Sequence, residues 1–592
     1  MNDRRLSDAR WVLAWAGVVG VIAIAFRPVM DNGFTHLDEA DMILEQPWVQ
    51  DWSWDSIRRM FTASWQYTYS PLAFLAWALQ KRWFDLDPGW LHTVTLGLHL
   101  TTTLLVGLWI AALTDDRRLA LAAGLVFGLH PLQVESVAWA TGQRTVLSGL
   151  LFFAALAAQT WADRRSLIRP VEGPNPPVSR GCLGQFRNPA CFLQWLSLLC
   201  LIGAILAKGT AFVFPVIVLL QRLFLYRTSF LDHKPSPAST LIATTFLPTG
   251  ETETTAAPPR APGAVDEPGR TEPPADRPAQ LPHPAHASRP DRTADAPPAP
   301  APRPGWRELA RRWADLGVDL AWAAVISLIG AGVAWLAAAP QMPAVPTLER
   351  VLVAARGVLF QLGSFVWPVG LSCLYPIPEG PADTFPWSYW LAPALVAGLA
   401  WCAWQTRQRD PLFTFGAMFF AVALAPLSQL VRVGMPILTS DHFMYVPLAG
   451  LALAAASIYL TMPGPSARSA WLAGMVLLSL GLGLLTYRQC EVWQSAHTLF
   501  GHTLQLYPGL SLAHHQLGVA LLREERWDEA VVQFDAVLQS RPDDLDARIG
   551  RATARVGARD WAAARAELAQ ILARAPDHPA VRALARVLPS SP

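Results

Sequence analysis

WVLAWAGVVGVIAIAFRPVM (residues 11–30) runs directly into DNGFTHLDE (residues 31–39), and the reading of this junction decides the fold. At about 1.5 Å rise per residue, roughly 20 mostly apolar residues cross a hydrocarbon layer of about 30 Å. Arg4, Arg5 and Arg10 precede the run, so the positive-inside rule predicts a cytoplasmic N-terminus. No small-residue cleavage site follows, and the segment reads as an uncleaved anchor. Asp38 and Glu39 then emerge on the far side, at the depth where a lipid-borne substrate presents its head group. Charges just outside the hydrocarbon cost little, so an ordinary solvated loop would look the same, and the rest of the chain must decide.

Of the 592 residues, 52% are hydrophobic, too many for a soluble multidomain protein. The chain reads as polytopic. Lys and Arg total 47 against 45 Asp and Glu, which leaves no electrostatic footprint for nucleic acid. The 26 tryptophans suit the interfacial belts of spanning helices. Six cysteines lack CxxC or Cys/His spacing, so neither a zinc site nor a Cys373–Cys490 disulfide is expected.

Beyond the anchor, residues 31–90 carry Trp48, Trp52, Trp54, Trp65 and Trp83 among polar residues, a composition that predicts a loop lying on the membrane surface. Further spans are expected at 91–113, from Leu119 to His130-Pro131, at 145–161, 191–206, 211–226, 318–338, 389–404, 412–430, 446–462 and 471–485. Arg164, Arg165 and Arg169 mark a cytoplasmic face, and Lys208-Gly209 forms the far-side tip of a hairpin. Residues 351–367 are expected to lie flat at the far surface, because a span there would place Arg407 and Arg409 outside. Residues 234–303 are crowded with Pro, Ala, Thr, Arg and Asp and predict a disordered cytoplasmic linker.

The C-terminal part is a repeat. Ala496, Ala530 and Ala564 recur every 34 residues, as do Phe500, Phe534 and Leu568, and Pro508, Pro542 and Pro576. Small residues at a close helix crossing, a large one in the groove and Pro after the second helix form the tetratricopeptide pattern. The unit at 545–578 has Arg551-Ala552 where the preceding one has Leu517-Gly518, as expected of a capping repeat. The fold class is thus an all-α polytopic membrane protein of about 11 spans with a C-terminal tetratricopeptide helical solenoid. Its parts are residues 1–227, a linker at 228–304, a second membrane part at 305–488 and the repeats at 489–592.

Under this topology the polar residues His36, Asp38, Glu39, His130, Glu135, Arg144, Lys208, Tyr375, Asp441, His442 and Tyr445 all fall at the far-side ends of spans. Such convergence makes a preformed polar pocket beneath one leaflet. His92, Thr95 and His99 share one face of the second span, a spacing that favours interhelical hydrogen bonds over metal binding. Glu135 and Arg144 bracket a turn and read equally as a local salt bridge or as site residues. Lys208, alone between apolar runs, reads as a snorkelling cation or as a phosphate partner.

A carboxylate, cations and access from lipid suit sugar transfer from a polyprenyl phosphate. The phosphate leaves as an anion that positive charge stabilises. The acceptor hydroxyl needs a base, which a carboxylate supplies late in the transition state as the proton acidifies. Direct attack with one base inverts the anomeric carbon, unlike two-carboxylate retention.

These residues resemble the C-type multi-span glycosyltransferases that use lipid-phosphate sugars, and within them the transmembrane and tetratricopeptide-repeat O-mannosyltransferases. The matching stretches are Asp38-Glu39, YSPLAFLAWAL from Tyr69, HPLQVESVAWATGQRTVLS from His130, Ala207-Lys208, WPVGLSCLYP from Trp367, DHFMYVPLAGLAL from Asp441 and VWQSAHTLF. The resemblance implies that Asp38 is the catalytic acidic residue of the first outer loop, acting as base, with Glu39 its neighbour, and that site and repeats lie outside the cytoplasm, as in a bacterial inner-membrane protein. Gly209 and His442-Phe443 stand where the family pattern has Pro and Arg-Tyr. The implied donor is a lipid-linked sugar phosphate and the acceptor a protein or glycan hydroxyl, with no divalent metal implied. The alternatives are a non-catalytic scaffold that anchors the repeats, and a transporter, for which no inverted pair of broken helices is visible.

Overall fold

The computed structural model describes residues 8–65, 68–168, 189–225, 306–338, 345–378, 382–430 and 437–587. The expected linker at 228–304, together with Arg4, Arg5 and Arg169, lies outside them. The described residues are helical, with two isolated β-bridges, Trp65–Thr68 and Pro376–Ile437. We number the helices used below α1 Asp8–Ala25, α2 Pro88–Thr114, α3 Arg117–Leu129, α4 Val134–Ala138, α5 Gln143–Ile168, α6 Pro189–Ala207, α7 Phe214–Leu225, α8 Trp306–Ala338, α9 Thr347–Val366, α10 Trp387–Gln405, α11 Pro411–Leu424, α12 Pro447–Thr461, α13 Gly464–Val492, α14 Ala496–Leu506, α15 Ser511–Arg523, α16 Trp527–Ser540, α17 Leu545–Gly557, α18 Trp561–Arg574 and α19 Pro579–Val587.

The chain is a polytopic α-helical membrane protein. Among the described residues, six helices are long and apolar enough to cross a bilayer, and three shorter apolar ones lie at Gly209–Leu225, Pro411–Leu427 and Pro447–Thr461. The stretch expected to end at His130-Pro131 bends there by 56° and continues as Pro131–Ala138. Pro131 lacks the N–H an unbroken helix needs, and the His130 ring nitrogen Nδ1 instead accepts from the Leu132 N–H at 3.2 Å. The stretch expected to lie flat at 351–367 is helical as far as Val366, as part of the 20-residue α9.

Close helix approach rests on small residues. Trp15 of α1 wedges between α2 and α3: a Cβ at Gly107 would fall 2.0 Å, and one at Gly124 2.5 Å, from its ring. At the α11–α12 crossing a Cβ on Gly416 would meet the Gly450 carbonyl oxygen at 2.5 Å.

A buried ion cluster joins three helices. Arg222 of α7 donates to Asp163 of α5 at 2.7 Å and to Asp319 of α8 at 2.8 Å. Gln159 donates to both carboxylates, at 2.9 and 2.6 Å. Because Asp319 lies beyond the 228–304 segment, this cluster fastens α8 onto the N-terminal helices.

The solenoid grows out of the membrane body. Ala496 and Phe500 on α14 fill the positions that Ala530 and Phe534 fill on α16, so the end of α13 stands where the first helix of a repeat would. All four side chains are buried. The cap is not the 545–578 unit itself. Helix α19 adds Val581 and Leu584 over Ala552, Leu568 and Ile571.

Breaking the ion cluster from one side strands two buried carboxylates. Arg222→Met should lower stability by about 3–5 kcal/mol, read as a fall in detergent-solubilised unfolding temperature. The triple change Arg222→Met, Asp163→Asn, Asp319→Asn should recover much of it.

Candidate active site

The loop 32–39 is built around Glu39. Its fully buried carboxylate accepts from Thr35 Oγ1 at 2.6 Å, the Thr35 N–H at 3.2 Å and the Asp38 N–H at 3.3 Å. Glu39 thus ties the loop from within. His36 sits at φ 56°, a left-handed conformation that non-glycine residues rarely adopt. Arg523 Nη1 of α15 donates to His36 Nδ1 at 2.8 Å. Burial, and then Arg523, push the His36 pKa down. A single π-helical turn, Ala40–Leu44, follows the acidic pair.

Asp38 points away from this scaffold. Its Oδ1 accepts from Thr141 Oγ1 at 2.7 Å, and the Trp139 indole N–H also favours its charged form. Burial pushes its pKa up to about 7, with Glu39 adding to the rise and Arg144, Thr141 and Trp139 opposing it.

Two cations follow, Arg144 and Lys208, of which Arg144 acts on both Asp38 and Lys208. Arg144 near the start of α5 makes no hydrogen bond or ion pair among the described residues, yet its charge is felt at Asp38, Lys208 and His442. Lys208, after α6, donates to Thr145 Oγ1 at 2.8 Å. Burial, and then Arg144, lower its pKa to about 7. Lys208, Thr145, Ser148, His442 and Tyr445 line one cleft. On the other side of the chain at Gly209 runs an apolar groove of about 300 Å³, walled by Ile202, Ile205 and Leu206 of α6 and Ile326, Ile329 and Val333 of α8.

Glu135 does not pair with Arg144. Its carboxylate accepts from Ser440 Oγ at 2.6 Å, the His442 N–H at 2.9 Å and His442 Nδ1 at 2.8 Å. Ser440 gives its hydrogen to Glu135 and lies 2.6 Å from His442 Nδ1, so Nδ1 carries the imidazole proton and Nε2 is left as an acceptor. Burial lowers the His442 pKa and Glu135 opposes the fall. Tyr375 donates to Asp441 Oδ1 at 2.8 Å, and burial, then Glu135, raise the Asp441 pKa.

The remaining sequence-derived residues brace this layer. His99 lies between Tyr445 Oη and the Gly128 carbonyl, 3.1 Å from each. His92 Nε2 is 3.5 Å from the Gly33 carbonyl, and His130 Nε2 donates to the Phe365 carbonyl at 3.0 Å. The histidines at 92 and 99 therefore serve contacts between segments. Among the described residues no group of three His, Cys, Asp or Glu side chains is arranged to hold a metal ion. Thr141, Thr145, Ser440 and Trp139 escaped the sequence reading, although all but Ser440 lie within the quoted stretch from His130.

A tetratricopeptide-repeat family model matches residues 521–588. The chain is similar to Protein O-mannosyl-transferase tmtc2 of Xenopus laevis, 33% identical over 117 residues that make up 20% of this chain and 14% of the relative. It is also similar to Protein O-mannosyl-transferase TMTC1 of Mus musculus, 31% identical over 160 residues, 26% of this chain and 15% of the relative. The resemblance to tetratricopeptide-containing O-mannosyltransferases holds. The matches span about a seventh of the length of these relatives. No solved structure matches.

Glu39 and Asp38 should separate experimentally. Glu39→Gln removes one acceptor oxygen from three donors and should cost about 1–3 kcal/mol of stability, seen as a lower unfolding temperature and faster proteolysis of residues 31–40. Asp38→Asn should leave both unchanged.

Proposed function

We propose that the chain is an integral membrane glycosyltransferase that moves a sugar from a polyprenyl phosphate to a hydroxyl, either a Ser/Thr side chain of a protein or a glycan hydroxyl. Mannose is the candidate sugar that the relatives' names supply. The site would face the extracytoplasmic side of a bacterial inner membrane, with the N-terminus cytoplasmic and the repeats holding the acceptor protein. One observation carries this reading: Asp38 lies within the field of Arg144, whose charge is also felt at Lys208, and the apolar groove is lined by Gly209, the residue after Lys208.

In this mechanism the isoprenoid chain lies in the groove and the phosphate meets Lys208 and Arg144. Asp38 Oδ2 takes the proton of the acceptor hydroxyl as its oxygen bonds to the anomeric carbon with inversion. The bond from that carbon to the phosphate oxygen breaks, and polyprenyl phosphate leaves with the electron pair. The cations stabilise the charge that gathers on it. His442 Nε2, an acceptor, suits a sugar hydroxyl.

Asp38→Asn keeps the shape and removes the base, and should lower kcat by about 10²–10⁴-fold in proteoliposomes supplied with polyprenyl-phosphate mannose and Thr-containing peptides. A non-catalytic scaffold would instead tolerate this change, and its repeats on any single span would restore function.

The pH dependence carries a second signature. Asp38 acts ionised and Lys208 acts charged, so kcat/KM for the donor should fall below pH 7 as Asp38 protonates and above it as Lys208 loses its proton. Lys208→Met should raise the donor KM and abolish the alkaline limb while leaving the acid limb in place.

A further inference from the structure

Arg523 ends α15, which pairs with α16 in the solenoid, and its Nη1 donates to Nδ1 of His36 at 2.8 Å. A guanidinium has hydrogens to give and no lone pair to accept with, so Nδ1 is the acceptor and His36 is neutral, its proton on Nε2. The bond ends on the residue of the 32–39 loop whose φ is positive. Such a conformation persists only where its surroundings hold it. The backbone on either side is tied down. The Gly33 N–H donates to the Gln494 carbonyl at 3.0 Å, and Thr35 and Asp38 both give their N–H groups to Glu39. The reversal at His36 lets the Glu39 carboxylate fold back onto Thr35 while Asp38, two residues on, turns to Thr141. Arg523 stands on a braced corner of the repeats. Arg526, three residues later, donates to Glu529 of α16 at 2.7 Å, and Glu524 lies 2.6 Å from His497 of α14. Helices α15 and α16 meet closely, since a Cβ at Gly518 would fall 2.9 Å from the Phe534 ring.

A strained turn, gripped at its side chain by the repeats, therefore stands two residues before the proposed base. We infer that Arg523 is a positioning residue for transfer: its hold on His36 keeps the loop in the conformation that presents Asp38. This assignment rests on the glycosyl-transfer reading above. Proton transfer requires the carboxylate to meet the acceptor hydroxyl at hydrogen-bond distance, and a misplacement of about 1 Å can cost about 100-fold in rate. Released from Arg523, His36 can relax to a negative φ, and that rotation carries Asp38 away from Thr141. His36 thereby acts through Asp38 and not on the substrate. Because α14, α15 and α16 all bear on the corner that carries Arg523, the rate of transfer is tied to the seating of the repeats, the part of the chain that would hold an acceptor protein.

The test uses the full-length protein in lipid nanodiscs with polyprenyl-phosphate mannose as donor and a Thr-containing peptide as acceptor. Arg523→Met loses the donor and, at an exposed position, should leave the unfolding temperature unchanged. It should lower kcat by about tenfold while both KM values stay within about twofold. Amide hydrogen exchange at Thr35 and Asp38 should quicken in the same protein, because their bonds to Glu39 depend on the turn. Arg523→Lys, which still has N–H groups to give, should recover most of kcat. His36→Gly suits a positive φ and offers no acceptor. In that background Arg523→Met should change kcat no further, since the two residues act through one bond. An unchanged kcat in Arg523→Met, or an equal loss in both backgrounds, would overturn the assignment while the transfer reaction stands. Absence of transfer by the unaltered protein overturns the reaction itself, and this assignment with it.

Discussion

Helix α13 is 29 residues long, and its far end is both the last turn of the membrane body and the first wall of the solenoid. The Asn32 side chain donates to the Cys490 carbonyl at 3.1 Å, and the Gly33 N–H donates to the Gln494 carbonyl at 3.0 Å. Thr486 Oγ1 donates to the Leu129 carbonyl at 2.7 Å, one residue before the His130 bend. On α14, His502 donates to the Leu371 carbonyl at 3.0 Å and Thr503 pairs with Ser372 at 3.1 Å. The strained loop that carries Asp38, the bend that leads to Glu135 and the segment that carries Tyr375 are therefore held by the end of α13, the turn after it and α14. A solenoid whose first repeat were joined by a flexible linker would impose none of these distances.

Within that frame the carboxylates divide by hydrogen bonding. Glu39 and Glu135 each accept from three donors, and Asp441 is held by Tyr375. Buried charge satisfied in this way fixes the geometry of the layer. Asp38 has Thr141 at 2.7 Å and the Trp139 indole beside it, and no ion pair among the described residues holds it. The cations show the same contrast: Arg222 is consumed by two aspartates, whereas among the described residues Arg144 makes no salt bridge and Lys208 donates to a threonine hydroxyl.

The sequence made the membrane fold and the repeat period legible, because hydrophobic runs and a 34-residue recurrence are local signals. It also made Asp38 and Lys208 legible as polar groups at span ends. Glu39 was read as a partner in chemistry because nothing in its neighbourhood shows that its carboxylate turns back onto Thr35. Glu135 offered Arg144 as the nearest cation, and its actual partner His442 lies 307 residues away. Asp319 stood at the head of a span like any interfacial charge, and its burial against Arg222 depends on contacts across the chain. Trp139 was one of 26 tryptophans, and what distinguishes it is its action on Asp38, which no pattern of letters encodes.

The account depends on the acid and the cations opening to one compartment. In a cysteine-free background, Asp38→Cys and Lys208→Cys can each be treated in intact cells with a small membrane-impermeant thiosulfonate. Both cysteines are predicted to react from outside. Reaction of one from outside and of the other only after the cytoplasmic face is opened would contradict it.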